Sequence, residues 1–317
     1  MTPRRALVSA TGCLLALAAL LTTPLGPQPA GAQDVDAAER RRLADLQKER
    51  AKLERNATRA AQGVGATVQR EALAWADLRP VAEGAEGAAN AALLERALLQ
   101  VFLREGVLVY PFEEERRLEV TYERGKLRGS LLSDDDVAFL LGRGFSFVAL
   151  PLLEQRRSSY SVSLDVIDLR TGRKVSVSLP AVSAKAAPLQ EVCALEALPS
   201  RNVKVLTFAA GNLGRQVDRG ECWDLPAVPV QKDGGRVRGY DFGQEVAWEH
   251  ARPGDVITFG ASGAAGGHVV VLFKWAESRA AAWVLHQNWG KQRTVRVDSL
   301  GSVEANKPGQ ELRVWRP

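Results

Sequence analysis

The sequence predicts an α+β fold: an N-terminal helix, a small α+β domain, and a C-terminal domain in which a helix packs on an antiparallel sheet. Three observations support this prediction: a charged helical stretch, a block in which helix and strand patterns alternate, and a series of short apolar strands after residue 203. The 317 residues, 46% hydrophobic and 25% charged, have ordinary globular composition and suffice for about two domains.

Residues 1–32 have the pattern of a secretory signal peptide. Arg4 and Arg5 precede an apolar run, and the run ends in the Ala-Gly-Ala of residues 30–32, the small residues that a signal peptidase requires. An uncleaved N-terminal anchor is the alternative. We expect an exported protein of the periplasm, cell envelope or extracellular space, with no transmembrane span after signal removal, because no later segment reaches about 18 uninterrupted apolar residues.

Composition excludes several classes of function. Three cysteines and three histidines are too few for a disulfide framework or a multi-zinc scaffold. We expect no metal and no other cofactor. A formal net charge of +5, without a Lys/Arg-rich block, does not indicate a nucleic-acid partner.

The mature chain divides into three predicted segments. Residues 33–89 form a helical stalk and linker, in which a weak leucine seam leaves a coiled coil as the alternative to a solvated helix. Residues 90–190 form the small α+β domain, with the order helix, strand, helix, strand and hairpin. Residues 203–317 form the C-terminal domain, and we place the boundary within 188–202 because the two halves differ in composition.

Within the small domain, two local signals are clear. Ser133 precedes three aspartates and an apolar run, which predicts an N-capped helix. Apolar residues alternate over 160–166 and again over 175–179, and Thr171-Gly172 between them predicts a hairpin.

The candidate catalytic residues lie in the C-terminal domain. Cys222 precedes Trp223 and Asp224 at a predicted loop-to-helix junction, where unpaired N–H groups and the helix dipole lower a thiol pKa. The neighbouring Glu221 and Asp224 charges oppose this effect, so the thiol needs a histidine partner. A lone cysteine is otherwise commonly a small buried hydrophobe.

Two histidines lie on predicted strands of the same domain. His268 opens the apolar strand 269–273 after a glycine-rich run, and a hydrogen-bonded surface histidine is the alternative interpretation. Alternation over 283–288 puts His286 and Asn288 on one face, so either side chain is a candidate to hold the His268 imidazole in one tautomer. A simple turn is the alternative for residues 288–290.

The segments GECWDL, ARPGDVITF, GGHVVV and HQN, in this order, resemble the CHAP family (cysteine, histidine-dependent amidohydrolase/peptidase) of the papain-like group. The resemblance covers about residues 205–317. It implies that Cys222 is the nucleophile, that His268 is the general base and then the acid, and that Asn288 orients His268. His286 stands where many CHAP domains carry a glutamate.

The resemblance also implies an oxyanion hole, formed by the backbone N–H of Cys222 and by Gln216 at the spacing of a papain-like glutamine. One departure concerns Pro226 and Pro229, which fall where the family has a helix and predict a short or displaced helix behind Cys222.

In the order of their predicted elements and in their residue pattern, residues 90–180 resemble the small α+β domain of bacterial outer-membrane assembly lipoproteins such as activators of penicillin-binding proteins. A generic α+β domain is the alternative. Together these resemblances predict an exported hydrolase, a cysteine peptidase or amidase, that cleaves amide bonds in peptidoglycan or a peptide. A catalytically inactive, CHAP-like envelope scaffold or binding protein is the alternative function.

Overall fold

The computed structural model describes residues 30–80, 85–112, 118, 122–123, 126–127, 132–185, 187–260, 267–275, 281–290, 292–305 and 309–317. The predicted signal peptide lies outside these residues except for its last three. The chain divides into two compact units, Met1–Ala44 and Asp45–Pro317.

The fold is α+β, as predicted. The helices of the described residues are α1 Ala30–Val68, α2 Ala85–Arg104, α3 Asp134–Gly142, α4 Leu189–Val192, α5 Ser200–Gly211, α6 Asp224–Lys232 and α7 Leu300–Ala305. Trp248–His250 adds one turn of 3-10 helix. Among the described residues, no helix is both long enough and apolar enough to cross a membrane.

The strands of the described residues are β1 Leu73–Trp75, β2 Arg79–Pro80, β3 Val109–Pro111, β4 Tyr122–Glu123, β5 Lys126–Leu127, β6 Phe147–Arg156, β7 Ser159–Asp168, β8 Lys174–Ser183, β9 Gln244–Val246, β10 Val256–Phe259, β11 His268–Trp275, β12 Ala282–His286, β13 Arg296–Ser299 and β14 Leu312–Arg316.

The first sheet has the order β3-β1-β6-β7-β8, and β2 also pairs with β6. Its β1 strand runs parallel to β3 and β6, whereas β6, β7 and β8 are antiparallel. The predicted hairpin is confirmed as β7 and β8. Gly172 adopts φ 70° in its turn, a conformation that glycine reaches without steric cost.

Ser133 caps α3 as predicted, because its hydroxyl accepts a hydrogen bond from the Asp136 N–H at 3.1 Å. The structure differs from the sequence expectation in the second half of α1. This stretch was expected to be a solvated stalk, yet Leu53, Ala57 and Val64 are at most 4% exposed. The alanines that weaken the leucine seam are themselves buried, so they extend the seam into the core instead of ending it.

The second sheet has the order β13-β12-β11-β10-β14-β9, and all its pairs are antiparallel. Helix α5 contacts β3 of the first sheet and β11 of the second. Val205 and Leu206 of α5 therefore share one apolar cluster with Val109 and Val271. The predicted domain boundary within 188–202 stays a prediction.

A buried carboxylate ties α5, the turn before β10 and the C-terminal strand together. Asp255 is fully buried and accepts hydrogen bonds from the Arg252 N–H at 2.8 Å, Asn202 Nδ2 at 2.7 Å and Arg316 Nη2 at 2.9 Å. Gly254, at φ 86°, leaves no room for a side chain, since a Cβ there would lie 2.6 Å from the Asn202 carbonyl oxygen. The Pro-Gly-Asp turn thus fixes where β10 begins.

We expect Asp255→Ala to lower the free energy of unfolding by about 3–5 kcal/mol, because it leaves Arg316 without its carboxylate partner and removes the acceptor shared by the Arg252 N–H and Asn202 Nδ2. Urea unfolding followed by circular dichroism measures this loss. Glu311→Ala is the matched control, because Glu311 pairs with Arg313 of β14 and the Glu311 side chain is 68% exposed. A loss no greater than that of the control contradicts the assigned role.

Candidate active site

Cys222 lies just before α6 and is buried against the second sheet. It is 8% exposed and packs in a small apolar cluster with Ala227, Val256 and Val269. Its thiol receives hydrogen bonds from the backbone at Val269 and Trp223, and it also bonds the Tyr240 hydroxyl. Cys222 therefore precedes the first turn of a helix, as the sequence predicted, and it also lies beside the N-terminal end of β11.

The helix behind Cys222 is short and contains both prolines. Helix α6 begins at Asp224 and runs through Pro226 and Pro229 to Lys232, a length of 9 residues. Pro226 lies in the first turn, where a missing N–H costs little. Pro229 removes one bond of the helix interior, and the helix nevertheless continues through it.

The environment of Cys222 raises its thiol pKa above the ordinary value, contrary to the expectation from its position at a helix start. Burial is the largest cause, and the Glu221 charge adds to it. The backbone bonds from Val269 and Trp223 and the Tyr240 hydrogen bond act in the opposite direction but are outweighed. The resting thiol is therefore protonated at neutral pH.

Tyr240 is a contact that sequence reasoning missed. Its hydroxyl bonds Cys222, and burial together with the nearby thiol raises the Tyr240 pKa to about 12. A Cβ at Gly267, the residue before His268, would lie 2.8 Å from this hydroxyl. Tyr240 thus bridges the nucleophile candidate and the start of β11, and no local sequence pattern marks it.

His268 and His286 are joined by a direct hydrogen bond. His268 Nε2 lies 2.8 Å from His286 Nδ1, and both residues are at most 2% exposed. The Trp289 ring packs at a tilt against both imidazoles, with centroids 4.8 and 5.5 Å away. Burial is the main cause that lowers the His286 pKa, while Asp298 opposes this effect. His286 is therefore neutral at neutral pH.

Asn288 does not continue the strand alternation on which its predicted role depends. Strand β12 ends at His286, and Asn288 adopts φ 58°, a left-handed conformation that asparagine tolerates. Its Nδ2 donates to Glu221 Oε2 at 2.6 Å. The side chain seen on His268 Nε2 is thus that of His286, and Asn288 instead holds the residue before Cys222.

Gln216, the predicted oxyanion donor, is exposed and donates from Nε2 to the Asp218 carbonyl oxygen at 3.0 Å. A different glutamine holds the loop before the cysteine. Gln287 is fully buried, accepts from the Val217 N–H at 3.0 Å and donates to the Glu221 carbonyl oxygen at 2.6 Å. Gln287 belongs to the HQN segment, but its role depends on a contact across 70 residues of sequence, which the segment alone does not reveal.

The cysteine loop is also fixed from the α6 side. Asp224 is fully buried and accepts hydrogen bonds from the Glu221 N–H and from Arg219 Nη2, both at 3.0 Å. Gly220 permits the sharp turn at φ 82°, with the Gln216 side chain 2.9 Å from where its Cβ would lie. Cys222 is therefore presented by a rigid loop.

The nucleophile and the imidazole candidates approach the end of β11 from different sides. Alternation places His268 on the face of Val270, whereas Val269, on the opposite face, packs with Cys222. His268 is the first residue of the strand. Any contact between the thiol and the imidazole therefore runs around the end of the sheet.

A separate cleft of about 460 Å³ lies along β9 and β14. Its walls carry Glu245, Glu249, Arg252 and Arg316 together with the exposed His250. None of the predicted site residues lines it. Within the described part of the chain, no cluster of His, Cys, Asp and Glu side chains is arranged to hold a metal ion.

No family model and no curated protein matches the chain. It is similar to the crystal structure of Ly7917, with 19% identity and a TM-score of 0.26, over 38% of this chain and 63% of that one. It is also similar to the crystal structure of TolB from Acinetobacter baumannii, with 6% identity and a TM-score of 0.23, over 77% of this chain and 49% of that one. The chain thus spans less than two thirds of either structure, and likeness at these TM-scores carries no argument about family or function.

Proposed function

We propose that the chain is an exported cysteine hydrolase that cleaves amide bonds, with peptidoglycan as its substrate. The observation that carries the proposal is the placement of Cys222. This thiol lies at a helix start and contacts Val269, the residue after His268 on β11. The His268 imidazole is buried, and its Nε2 is hydrogen-bonded to His286. A cysteine and an oriented imidazole are the groups that acyl transfer from an amide requires.

The proposed reaction begins from the neutral thiol. His268 Nδ1 takes the thiol proton as Cys222 Sγ attacks the carbonyl carbon of the amide. The tetrahedral intermediate then collapses, the C–N bond breaks, and His268 returns the proton to the leaving amine. Water, activated by the same imidazole, hydrolyses the thioester, releases a carboxylic acid and restores the thiol.

The raised thiol pKa decides which form of this mechanism applies. A preformed thiolate–imidazolium pair needs a depressed thiol pKa, whereas burial raises that of Cys222. The proposal is therefore general-base catalysis, in which the proton leaves during attack. Tyr240 acts on the same sulfur, since its hydroxyl hydrogen bond stabilises the thiolate as it forms.

Export and the substrate class rest on sequence. The signal-like N-terminal segment and the CHAP resemblance of residues 205–317 support a substrate outside the cytoplasm. A peptidoglycan stem peptide or the glycan–peptide link contains amide bonds of the required kind.

The second candidate function is an envelope binding module that has lost turnover. The raised pKa of Cys222 favours the binding module, because a buried structural cysteine also has an unreactive, protonated thiol. In that case the histidine pair serves only to stabilise the end of the sheet.

We expect Cys222→Ala to abolish release of amines from purified peptidoglycan, because the nucleophile is lost. His268→Ala is expected to be nearly as damaging, since the same imidazole deprotonates the thiol and protonates the amine. Mass spectrometry of the digest identifies the scissile bond. Cys193→Ala is the matched control, because it removes the other thiol of the described residues at a distant position. Equal rates for the parent and Cys222→Ala select the binding module.

We expect Asn288→Ala to reduce turnover less than His286→Ala does. The reason is that His286, and not Asn288, contacts His268 Nε2, whereas Asn288 acts on the loop through Glu221. Steady-state rates on peptidoglycan, with the folded fraction checked by circular dichroism, measure the difference. The reverse order contradicts this assignment and restores the role that the family resemblance implies.

Alkylation by iodoacetamide tests the environment of the thiol without a substrate. We expect Tyr240→Phe to slow alkylation of Cys222 at pH 8.5, because losing the hydroxyl hydrogen bond raises the thiol pKa further and lowers the thiolate fraction. Cys193 is the internal reference: burial raises its pKa to about 12, so it stays unreacted at this pH. An equal or faster rate in Tyr240→Phe contradicts the contact.

A further inference from the structure

A chain of hydrogen bonds continues from the histidine pair to the outermost strand of the second sheet. His286 Nε2 lies 2.9 Å from Asp298 Oδ2, while His286 Nδ1 lies 2.8 Å from His268 Nε2. Arg296 Nε lies 2.8 Å from the same Asp298 oxygen. The chain crosses the adjacent strands β11, β12 and β13.

The register of β12 and β13 accounts for this geometry. His286 is directly opposite Arg296, and Val284 is opposite Asp298. Asp298 is therefore the diagonal neighbour of His286 on the same face, within reach of a long side chain. His286 is fully buried, whereas the Asp298 side chain is 34% exposed, so a partly solvated carboxylate meets a buried imidazole.

The protons along this chain follow from which groups are able to donate. An ionised carboxylate only accepts, so the hydrogen between Asp298 and His286 belongs to His286 Nε2. A neutral imidazole carries one N–H, and His286 Nδ1 is then an acceptor. The hydrogen between the two rings consequently belongs to His268 Nε2, which leaves His268 Nδ1 unprotonated.

Arg296 offers the competing arrangement, and the distances decide against it. If Arg296 Nε donated to His286 Nε2, that nitrogen would need a lone pair and both tautomers would reverse. This separation is 3.5 Å, whereas Arg296 Nε to Asp298 is 2.8 Å. The shorter, charge-assisted contact takes the Arg296 hydrogen, and Asp298 keeps His286 as a donor.

We propose that Asp298 is a positioning residue that selects, through His286, the tautomer of His268 with an unprotonated Nδ1. The tautomer assignment stands on the hydrogen-bond chain, and its catalytic consequence rests on the function proposed above. An unprotonated Nδ1 is the base that thiol deprotonation needs. Asp298 thus does through one additional imidazole what a carboxylate bonded directly to a catalytic histidine does.

Nitrogen-15 NMR of the imidazole rings tests the tautomers directly. The whole sequence contains three histidines, so each gives a resolvable pair of ring-nitrogen signals, and His250 is an exposed internal reference. We expect protonated Nε2 and unprotonated Nδ1 for both His268 and His286 in the purified parent chain at neutral pH. A protonated Nδ1 on His286 in the parent overturns the proposal by itself, whatever the variants do.

The Asp298→Leu variant reverses the chain. It removes the carboxylate, so Arg296 Nε is released to donate to His286 Nε2, which lies 3.5 Å away, and both rings are expected to switch to the tautomer with protonated Nδ1. Asp298→Glu keeps a carboxylate and is expected to retain the parent tautomers. Glu311→Gln is the matched control, since Glu311 forms a comparable carboxylate–arginine pair with Arg313 away from the histidines. Unchanged tautomers in folded Asp298→Leu overturn the proposal.

Activity measured on the same samples separates this proposal from the proposed function. If the function holds, Asp298→Leu lowers kcat at least about tenfold with KM unchanged, and Asp298→Glu recovers most of the loss. If the tautomers switch in Asp298→Leu but the parent releases no amine, the Asp298 assignment is upheld and the enzyme is rejected. If the parent turns over and Asp298→Leu has an equal kcat, the enzyme is upheld and the positioning role is rejected.

Discussion

The antiparallel register of β11 against β12 decides where the chemically active side chains of the second sheet point. Val271 is opposite Leu285, so His268 and His286 fall on one face and within reach of each other. A slip by one residue would move His286 to the opposite face and bring Gln287 in its place. The register is fixed because both faces are buried: Val270 and Val284 fill one apolar cluster, and Val271 and Leu285 fill another.

The same register positions the nucleophile loop, although that loop belongs to a different part of the sequence. Gln287 lies just beyond the end of β12 and bonds the backbone of Val217 and Glu221, while Asn288 bonds the Glu221 side chain. Asp224 fixes the loop from the helix side. The stretch from 283 to 288 therefore contains one of the two histidines and also anchors the loop that carries Cys222 from the side of the sheet. One short segment thus provides both the contact to the His268 ring and the anchors of the cysteine loop.

Burial and hydrogen bonding act in opposite directions at the cysteine, and burial prevails. The start of a helix lowers a thiol pKa when the thiol faces solvent or a cation. Cys222 instead lies in an apolar cluster with Glu221 next to it, so its charged form is disfavoured. The same effect keeps His286 neutral, since burial outweighs the attraction of Asp298. Cys222 and His286 are therefore both neutral at rest, and in the proposed mechanism the thiolate forms only during attack.

The sequence by itself determined the α+β class, the Ser133 cap, the hairpin of β7 and β8, and the position of Cys222 before a helix, because each depends on neighbours along the chain. It also marked His268 and His286 as strand residues. Only the tertiary structure decided that His286, and not Asn288, bonds His268, and that Asp298 stands behind it. These contacts depend on strand pairing and on a left-handed residue after β12. The sign of the thiol pKa shift was likewise undetermined by sequence, because desolvation depends on which distant side chains cover the sulfur.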